Sequence, residues 1–513
     1  MSTPPSAKKY HHVVPFNYHL LDRLRVAFEE NLHEQGIEFL NSVAFAGISS
    51  RPPIPAPIPP PAFLRFLLTL IVHPYYTTQR RKGAPPSEAP TRAYITLCRL
   101  LETFGPLNLN LSAVYHFDRG NRDQRRRHHH KDDEEITSDE SISSPLAQEE
   151  SIFASADDVW AMVGWAFTCS VKHKERWIWW KLLMECLVES MELDWQERFH
   201  AYERGGEKDK DLLRDSIVVK LLPDTRGSGG YRRVLRSILA QGQKDEWGMM
   251  WEDELMARRL RKPGRARIDR VVGDDQKDDV EDREDLPEEE EDTDMDDADK
   301  PRSAAYPWGG MQSFIFRQRL LELLSIVSAY DYFVPTNDLY LEIRNLIFPH
   351  PLSTFKLFVS PLLDTHDVSY STMAQHFLLT LLPNPPKAFD FTMTQNVLTT
   401  HFLPFSASTQ SPISNARVAI LLQVLFQLLF RRGFLEYTEE LEAAVKEGKM
   451  KRMEKVGSPK GKAKKELEEV QLDWKIAEDG LQLMVGLLKM RKSTGRPGTQ
   501  ESMASDNSIQ GRE

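Results

Sequence analysis

Two cysteines and two histidines are spaced so that they could bind a metal ion. Cys169 precedes His173 by four residues, Cys186 follows, and His200 ends the series. Residues four apart lie on one side of a helix, so the first thiolate and imidazole could share a zinc ion. Zinc hairpins, however, usually supply closely spaced cysteines, and both cysteines here lie among apolar residues. We therefore predict buried structural thiols. The alternative is a metal-dependent enzyme whose site is assembled from distant helices.

A glycine-rich stretch at residues 227–230 could bind a phosphate group at the start of a helix. Before it, Leu213, Ile217 and Leu221 have helical spacing and Pro223 ends the helix, so we predict a flexible turn instead. The sequence contains no phosphate loop, nucleophile elbow, zinc-protease helix or kinase signature. We therefore assign no catalytic, cofactor-binding or metal-binding residue and predict that the protein is not an enzyme.

Charge is concentrated in a few segments of the chain. The formal net charge is −10 over 513 residues. Residues 274–300 alone hold 17 acidic and three basic residues, a local charge of −14, which leaves +4 for the rest of the chain. The isoelectric point therefore describes neither part. A segment this acidic forms no core, so we predict a disordered linker.

Two basic arms carry the prediction of function. One directly precedes the acidic segment, and the other follows a Ser-Pro pair near the C-terminus. Such clusters direct nuclear import or contact nucleic-acid phosphates, and they are equally typical of solvated loops. The residues assigned to the arms are Arg258, Arg259, Arg261, Lys262, Arg265 and Arg267, and Lys460, Lys462, Lys464 and Lys465. We also predict phosphorylation of Ser458, because a phosphate would offset much of the surrounding charge.

Apolar spacing predicts helices along most of the chain. The clearest case is a tryptophan-rich hairpin, with Trp160 in one apolar stripe and Trp177 and Trp180 in a second. We predict that these rings pack in a core, and that Ser155, with Asp158 three residues later, caps the first helix. Short helices separated by prolines favour an all-α fold of helical hairpins, arranged as an irregular α-solenoid of the HEAT or armadillo kind.

These patterns divide the chain into helical regions and charged linkers. One stretch, the proline-rich spacer at 52–61, is predicted to take an extended polyproline conformation because of its many prolines. The predicted order is a disordered N-terminus at 1–15, a helical region at 16–115 with the proline-rich spacer at 52–61, a disordered charged linker at 116–152, a tryptophan-rich helical region at 153–257, a basic and then acidic disordered linker at 258–308, a helical region at 309–490 with a basic insertion at 446–465, and a disordered tail at 491–513.

Cysteine content and apolar runs bear on the compartment. Three cysteines in a long chain give no disulfide framework and are typical of a reducing compartment. The polar N-terminal residues lack the apolar core of a secretory signal. The longest apolar run, residues 418–430, is shorter than the roughly 20 residues that span a bilayer. We therefore predict a buried core helix and no membrane span.

Together these features predict a non-enzymatic, intracellular scaffold or adaptor in the nucleus. Its helical regions would assemble the proteins of a multi-subunit complex, while the charged linkers contact chromatin, RNA or basic proteins such as histones. We expect no cofactor and no membrane partner. One alternative is a cytoplasmic transport or assembly adaptor with a solenoid groove, in which the basic arms are only solvated loops.

Overall fold

The computed structural model is all-α, as the apolar spacing predicts. Helices form nearly all of the regular structure in the part of the chain that it describes. That part comprises residues 10–52, 54–78, 87–117, 141–204, 210–223, 230–242, 304–330, 334–362, 367–383, 393–458 and 460–493.

The helices fall on either side of the long charged segment. Those before residue 243 are α1 (Tyr18–Glu29), α2 (His33–Phe45), α3 (Pro61–Val72), α4 (Ala89–Asn108), α5 (Leu111–Val114), α6 (Ile152–Ser155), α7 (Val159–Lys172), α8 (Lys174–Arg204), α9 (Lys210–Arg214), α10 (Ile217–Leu221) and α11 (Gly230–Ile238). Those after residue 303 are α12 (Met311–Ala329), α13 (Thr336–Ile347), α14 (Leu352–Val359), α15 (Asp367–Leu381), α16 (Gln395–Val397), α17 (Pro412–Arg431), α18 (Glu439–Val456) and α19 (Lys462–Ser493). A π-helical turn, Leu398–Phe402, continues α16, and short 3₁₀ turns lie at Pro145–Ala147 and Tyr306–Trp308.

A short parallel ladder joins the N-terminal residues to the proline-rich spacer. Strand β1 (Val13–Pro15) pairs with β2 (Ala56–Ile58). The amide of Ala56, which stands between two prolines, donates to the carbonyl of His12 at 2.9 Å. Because non-proline residues alternate with prolines here, the spacer still has donors for pairing. The prediction of a disordered N-terminus through residue 15 is therefore wrong at β1, whereas the spacer is extended at β2.

Two predicted linkers are shorter than expected. The linker at 116–152 is wrong for residues 141–152, because Ile142 and Leu146 are buried and the turn Pro145–Ala147 packs on α3. Likewise Trp308, at the end of the linker at 258–308, is only 1% exposed. A few apolar side chains anchor these stretches because their burial removes apolar surface from water. Residues 118–140 and 243–303 lie outside the described residues.

The tryptophan-rich hairpin is present as α7 and α8. Its three predicted core tryptophans are buried, which confirms that they pack inside. The predicted cap is wrong by three residues, since Ser155 ends α6 and Asp158 caps α7. Asp158 has extended backbone angles, and its Oδ1 accepts from the amide of Ala161 at 2.9 Å.

Helix α8 is the central element of the described fold. It contacts α3 and α4, its hairpin partner α7, the short helices α9 and α10, and also α12 beyond the charged segment. Each repeat of a solenoid contacts only its neighbours. The HEAT or armadillo arrangement therefore stays a prediction, which this pattern of contacts does not support.

A buried arginine joins α12 to the end of α11. Nη2 of Arg317 donates to the carbonyl of Ala240 at 2.9 Å and lies 3.5 Å from that of Trp308, while Nη1 donates to Ile238. The guanidinium also stands over the ring of Phe167, 4.0 Å from its centroid. Burial lowers the pKa of Arg317 to about 9. The carbonyls at the end of α11 carry the negative end of the helix dipole, which stabilises this cation.

Helix α17 is the apolar centre of the C-terminal half. It is the one described helix long and apolar enough to cross a bilayer by length and composition, and 67% of its apolar window is buried inside the protein. It packs against α14, α15 and α19. This burial confirms the predicted core helix. Length and apolar composition alone do not distinguish a buried core helix from a membrane span.

His33 makes the stability of the N-terminal helices sensitive to acid. Its ring packs against Phe66, and Nε2 lies 2.8 Å from the hydroxyl of Tyr76. Burial, and secondly the charge of His73, lower the pKa of His33 to about 4.

We expect the free energy of unfolding to fall as the pH drops from 6.5 to 4. The unfolded imidazole binds its proton near pH 6.5 and the folded one near pH 4, so the unfolded chain binds more protons in this window. The loss should reach about 1.4 kcal/mol per pH unit. Thermal melts across the window should show a shallower slope for His33→Gln than for the wild type. Equal slopes would contradict the assignment.

Candidate binding surface

The C-terminal hairpin of α18 and α19 lies against α17. Thr438 caps the N-terminus of α18, and its side chain accepts from the amide of Leu441 at 3.1 Å. Gly457 and Gly461, both with φ of 60°, bracket the turn between the two helices. One face of α19 packs along α17, and α18 packs on α19 and on the π-helical turn.

A buried ion pair holds the two helices of the hairpin together. Nε and Nη2 of Arg452 donate to the two carboxylate oxygens of Glu478 at 2.7 and 2.9 Å. Nη1 donates to the carbonyls of Leu403 and Phe405 at 3.2 and 3.0 Å, and the indole of Trp474 donates to Glu478 at 3.1 Å. The side chains of the pair are 0% and 4% exposed. This bidentate geometry fixes the relative position of α18 and α19.

A cleft of about 370 Å³ opens between α18 and α19 beside this ion pair. The surface that it exposes is mainly apolar, and charged side chains form part of its lining. An apolar group of a partner could enter it while polar groups contact the charged side chains. The residues around it include Met453, Val456, Leu467, Trp474, Lys475 and Asp479.

The outer face of α19 carries an exposed apolar stripe. The stripe repeats at intervals of three, four and seven residues, so its side chains share one face over about 27 Å. Gly486 lies on the same face, and a Cβ added there would meet no other atom. The members of the stripe are Leu472 (71% exposed), Ile476 (44%), Leu483 (66%), Leu487 (39%) and Met490 (59%).

Helix α19 therefore has two apolar faces. Trp474, Leu481 and Leu488 face α17 and the rest of the core, and the stripe lies on the opposite side. A helix at the edge of a globular protein normally has one apolar face and one polar face. The helical spacing of the stripe is present in the sequence, but we did not predict a binding surface from it.

The second basic arm lies at the tip of this hairpin. Lys460, Lys462, Lys464 and Lys465 are all exposed, at the turn and in the first turn of α19. Lys464 lies 4.0 Å from Glu468, with both side chains mostly exposed. Ser458 is also exposed, in the bend after α18. The structure thus brings the second arm and the predicted phosphorylation site together.

Most of the predicted basic insertion at 446–465 is helical. Residues 446–456 belong to α18, where Lys446 and Lys451 pair with glutamates four residues earlier at 2.7 and 2.6 Å. Lys449 lies 3.4 Å from Asp479 of α19, and Arg452 is buried. These pairs stabilise a helix where the lysine content alone suggested a solvated arm. The first arm, with Arg258, Arg259, Arg261, Lys262, Arg265 and Arg267, lies outside the described residues.

The four residues considered for zinc do not assemble into a metal site. Cys169 is buried in α7, Cys186 in α8 faces α4, and His173 follows the end of α7. His200 lies near the C-terminal end of α8. Within the described ranges, no group of three or more metal-binding side chains could hold an ion. Residues 227–229 of the glycine-rich stretch lie outside the described residues, and Gly230 begins α11.

Two comparisons with known proteins give no match. A search with models of protein families finds none that matches the chain, and none of the curated proteins matches it either. The side chains of this molecule alone therefore carry the assignment of a function.

Proposed function

We propose that the protein is a non-enzymatic scaffold that binds an amphipathic helix of a partner protein along the stripe on α19. The observation that carries the proposal is the second apolar face of α19, opposite the face packed on α17. Its spacing is that of a helix–helix seam interrupted by Asp479 between Ile476 and Leu483, and the open position at Gly486 lets a partner helix approach closely. The adjacent cleft offers a pocket for one anchoring side chain.

We also propose that this scaffold works in the nucleus. The four exposed lysines at the tip of the hairpin support import or contact with nucleic-acid phosphates. Phosphorylation of Ser458 would add negative charge beside them and weaken either interaction. The stripe and the basic tip lie on the same hairpin, so one element would join a protein partner to a phosphate-bearing one.

Replacing Leu472, Leu483 and Met490 together by glutamine should release the partner. We expect its recovery with the tagged full-length chain to fall by about tenfold, because burial of these side chains supplies the contact. The measurement is quantitative mass spectrometry of proteins that co-purify with the wild type and with the variant. The matched control replaces Val26, Ile95 and Leu341 by glutamine. These side chains are 48%, 49% and 47% exposed and lie on three other helices.

Several results would contradict this proposal. An unchanged set of co-purifying proteins would exclude the stripe as the binding surface. A wild-type dimer that becomes monomeric in the stripe variant, measured by sedimentation, would show that a second copy covers the stripe.

Neutralising both basic arms should prevent accumulation of the tagged chain in the nucleus, while neutralising the paired Lys446, Lys449 and Lys451 should not. Nuclear accumulation without both arms would exclude their role in import.

A further inference from the structure

Cys98 and Cys186 are neighbours, although they lie in different helices. Cys98 belongs to α4 and Cys186 to α8, and these two helices pack together. Cys186 lines a small cavity together with Leu97 and Leu101, which precede and follow Cys98 on α4, and each thiol shifts the pKa of the other. Both are free cysteines, and Cys98 is partly exposed whereas Cys186 is buried. A small reagent from solution can therefore reach Cys98, whereas Cys186 lies in the interior.

The two thiols have unlike surroundings. The neighbouring Cys186 lowers the pKa of Cys98 most, burial opposes this, and Tyr94 adds to the lowering. The neighbouring Cys98 and, secondly, burial raise the pKa of Cys186. The hydroxyl of Tyr94 is itself held by Glu185, at 2.9 Å from Oε2. Cys98 is thus the better nucleophile of the pair, since the thiolate is the reactive form.

The fold leaves room beside Cys186 for its side chain to rotate. A small cavity of about 20 Å³ adjoins it, between α4, α5 and α8. Leu97, Leu101 and Tyr115 form part of its wall, together with Ser190, whose Oγ lies 3.4 Å from the hydroxyl of Tyr115. A side chain that rotates to form a disulfide needs such room, because packed interiors resist displacement.

We propose that Cys98 and Cys186 are a modification site for hydroperoxides, which convert the pair into a reversible disulfide. The Cys98 thiolate attacks one oxygen of the hydroperoxide, the O–O bond breaks, and the leaving alkoxide or hydroxide takes a proton from solvent. Cys98 is then a sulfenic acid. The Cys186 sulfur attacks Cys98 and gives up its proton, the S–O bond breaks, and water leaves. The two sulfurs lose two electrons, which reduce the hydroperoxide.

The first test treats the full-length wild-type chain with hydrogen peroxide and measures its intact mass. We expect the loss of two hydrogen atoms, reversed by dithiothreitol, and a cross-linked peptide pair containing Cys98 and Cys186. Cys169 is an internal control, because it is fully buried in α7 and should stay a free thiol. This measurement uses only the wild-type chain, so it does not depend on whether a variant folds. A chain that keeps three free thiols, or that cross-links Cys169 instead, would overturn the proposal.

The second test assigns the roles of the two sulfurs. Cys98→Ser should lose the disulfide completely, whereas Cys186→Ser should stop at a sulfenic acid on residue 98 that dimedone traps. Circular dichroism first establishes that each variant is folded. Trapping on Cys186 in the folded Cys98→Ser chain would reverse the assigned roles and overturn the mechanism. Neither test depends on the stripe of α19, so failure here leaves the scaffold proposal standing.

Discussion

Replacing Arg452 by methionine is expected to lower the free energy of unfolding by about 3–5 kcal/mol. The substitution leaves the carboxylate of Glu478 buried without its cation, and it removes the donor to the carbonyls of Leu403 and Phe405. An uncompensated buried charge costs more than the ion pair contributes, because its hydration is lost. Urea denaturation followed by circular dichroism measures the change.

The double variant Arg452→Met with Glu478→Met is the matched control. Removing both charges leaves no buried carboxylate, so we expect it to be more stable than the single Arg452→Met variant. The double-mutant cycle gives the coupling energy between the two side chains. If the double variant were as unstable as the single one, the loss would come from packing and from the backbone carbonyls rather than from the stranded charge.

Gly448→Ala is expected to destabilise the hairpin even though alanine favours helices. A Cβ at this position would overlap the carbonyl oxygen of Leu403, a backbone atom that cannot rotate away. Helix α18 would have to move off the π-helical turn Leu398–Phe402, and overpacking of this kind typically costs about 1–3 kcal/mol or more. Thermal and urea denaturation should both show the loss.

The same substitution at Gly486 is the control for this effect. No atom lies near the position of a Cβ there, so the helix preference for alanine should raise the free energy of unfolding by up to about 1 kcal/mol. The two glycines lie in the same hairpin and differ only in their surroundings. Equal effects of the two substitutions would contradict the close approach of α18 to Leu403.

Helix positions were largely predictable because they depend on local spacing. The apolar periodicity predicts α7, α8, α12 and α17 closely, and Pro412 marks the first turn of α17 because proline suits that position. The strands β1 and β2 were not predictable. Each has three residues, and their pairing depends on the fold that brings the spacer beside the N-terminus.

The candidate sites divide in the same way. The stripe on α19 follows from spacing along one helix, so the sequence contains it. The burial of Arg452 does not follow from the sequence, because Glu478 is 26 residues away and a lysine-rich tract surrounds the arginine. Likewise nothing in the sequence pairs Cys186 with Cys98 in preference to Cys169. These contacts exist only once helices have packed, and a single sequence records no trace of that packing.

The contacts of Arg317 bring together the two ends of the long charged segment. One nitrogen of its guanidinium lies 2.9 Å from the carbonyl oxygen of Ala240 and 3.5 Å from that of Trp308, so the residues that flank the segment at 243–303 lie close together. The entropy of closing a flexible loop changes slowly with its length, by about 0.6 kcal/mol for each doubling. For the disordered linker that the sequence predicts in this segment, a change in length should therefore alter the free energy of unfolding of the helical body only slightly.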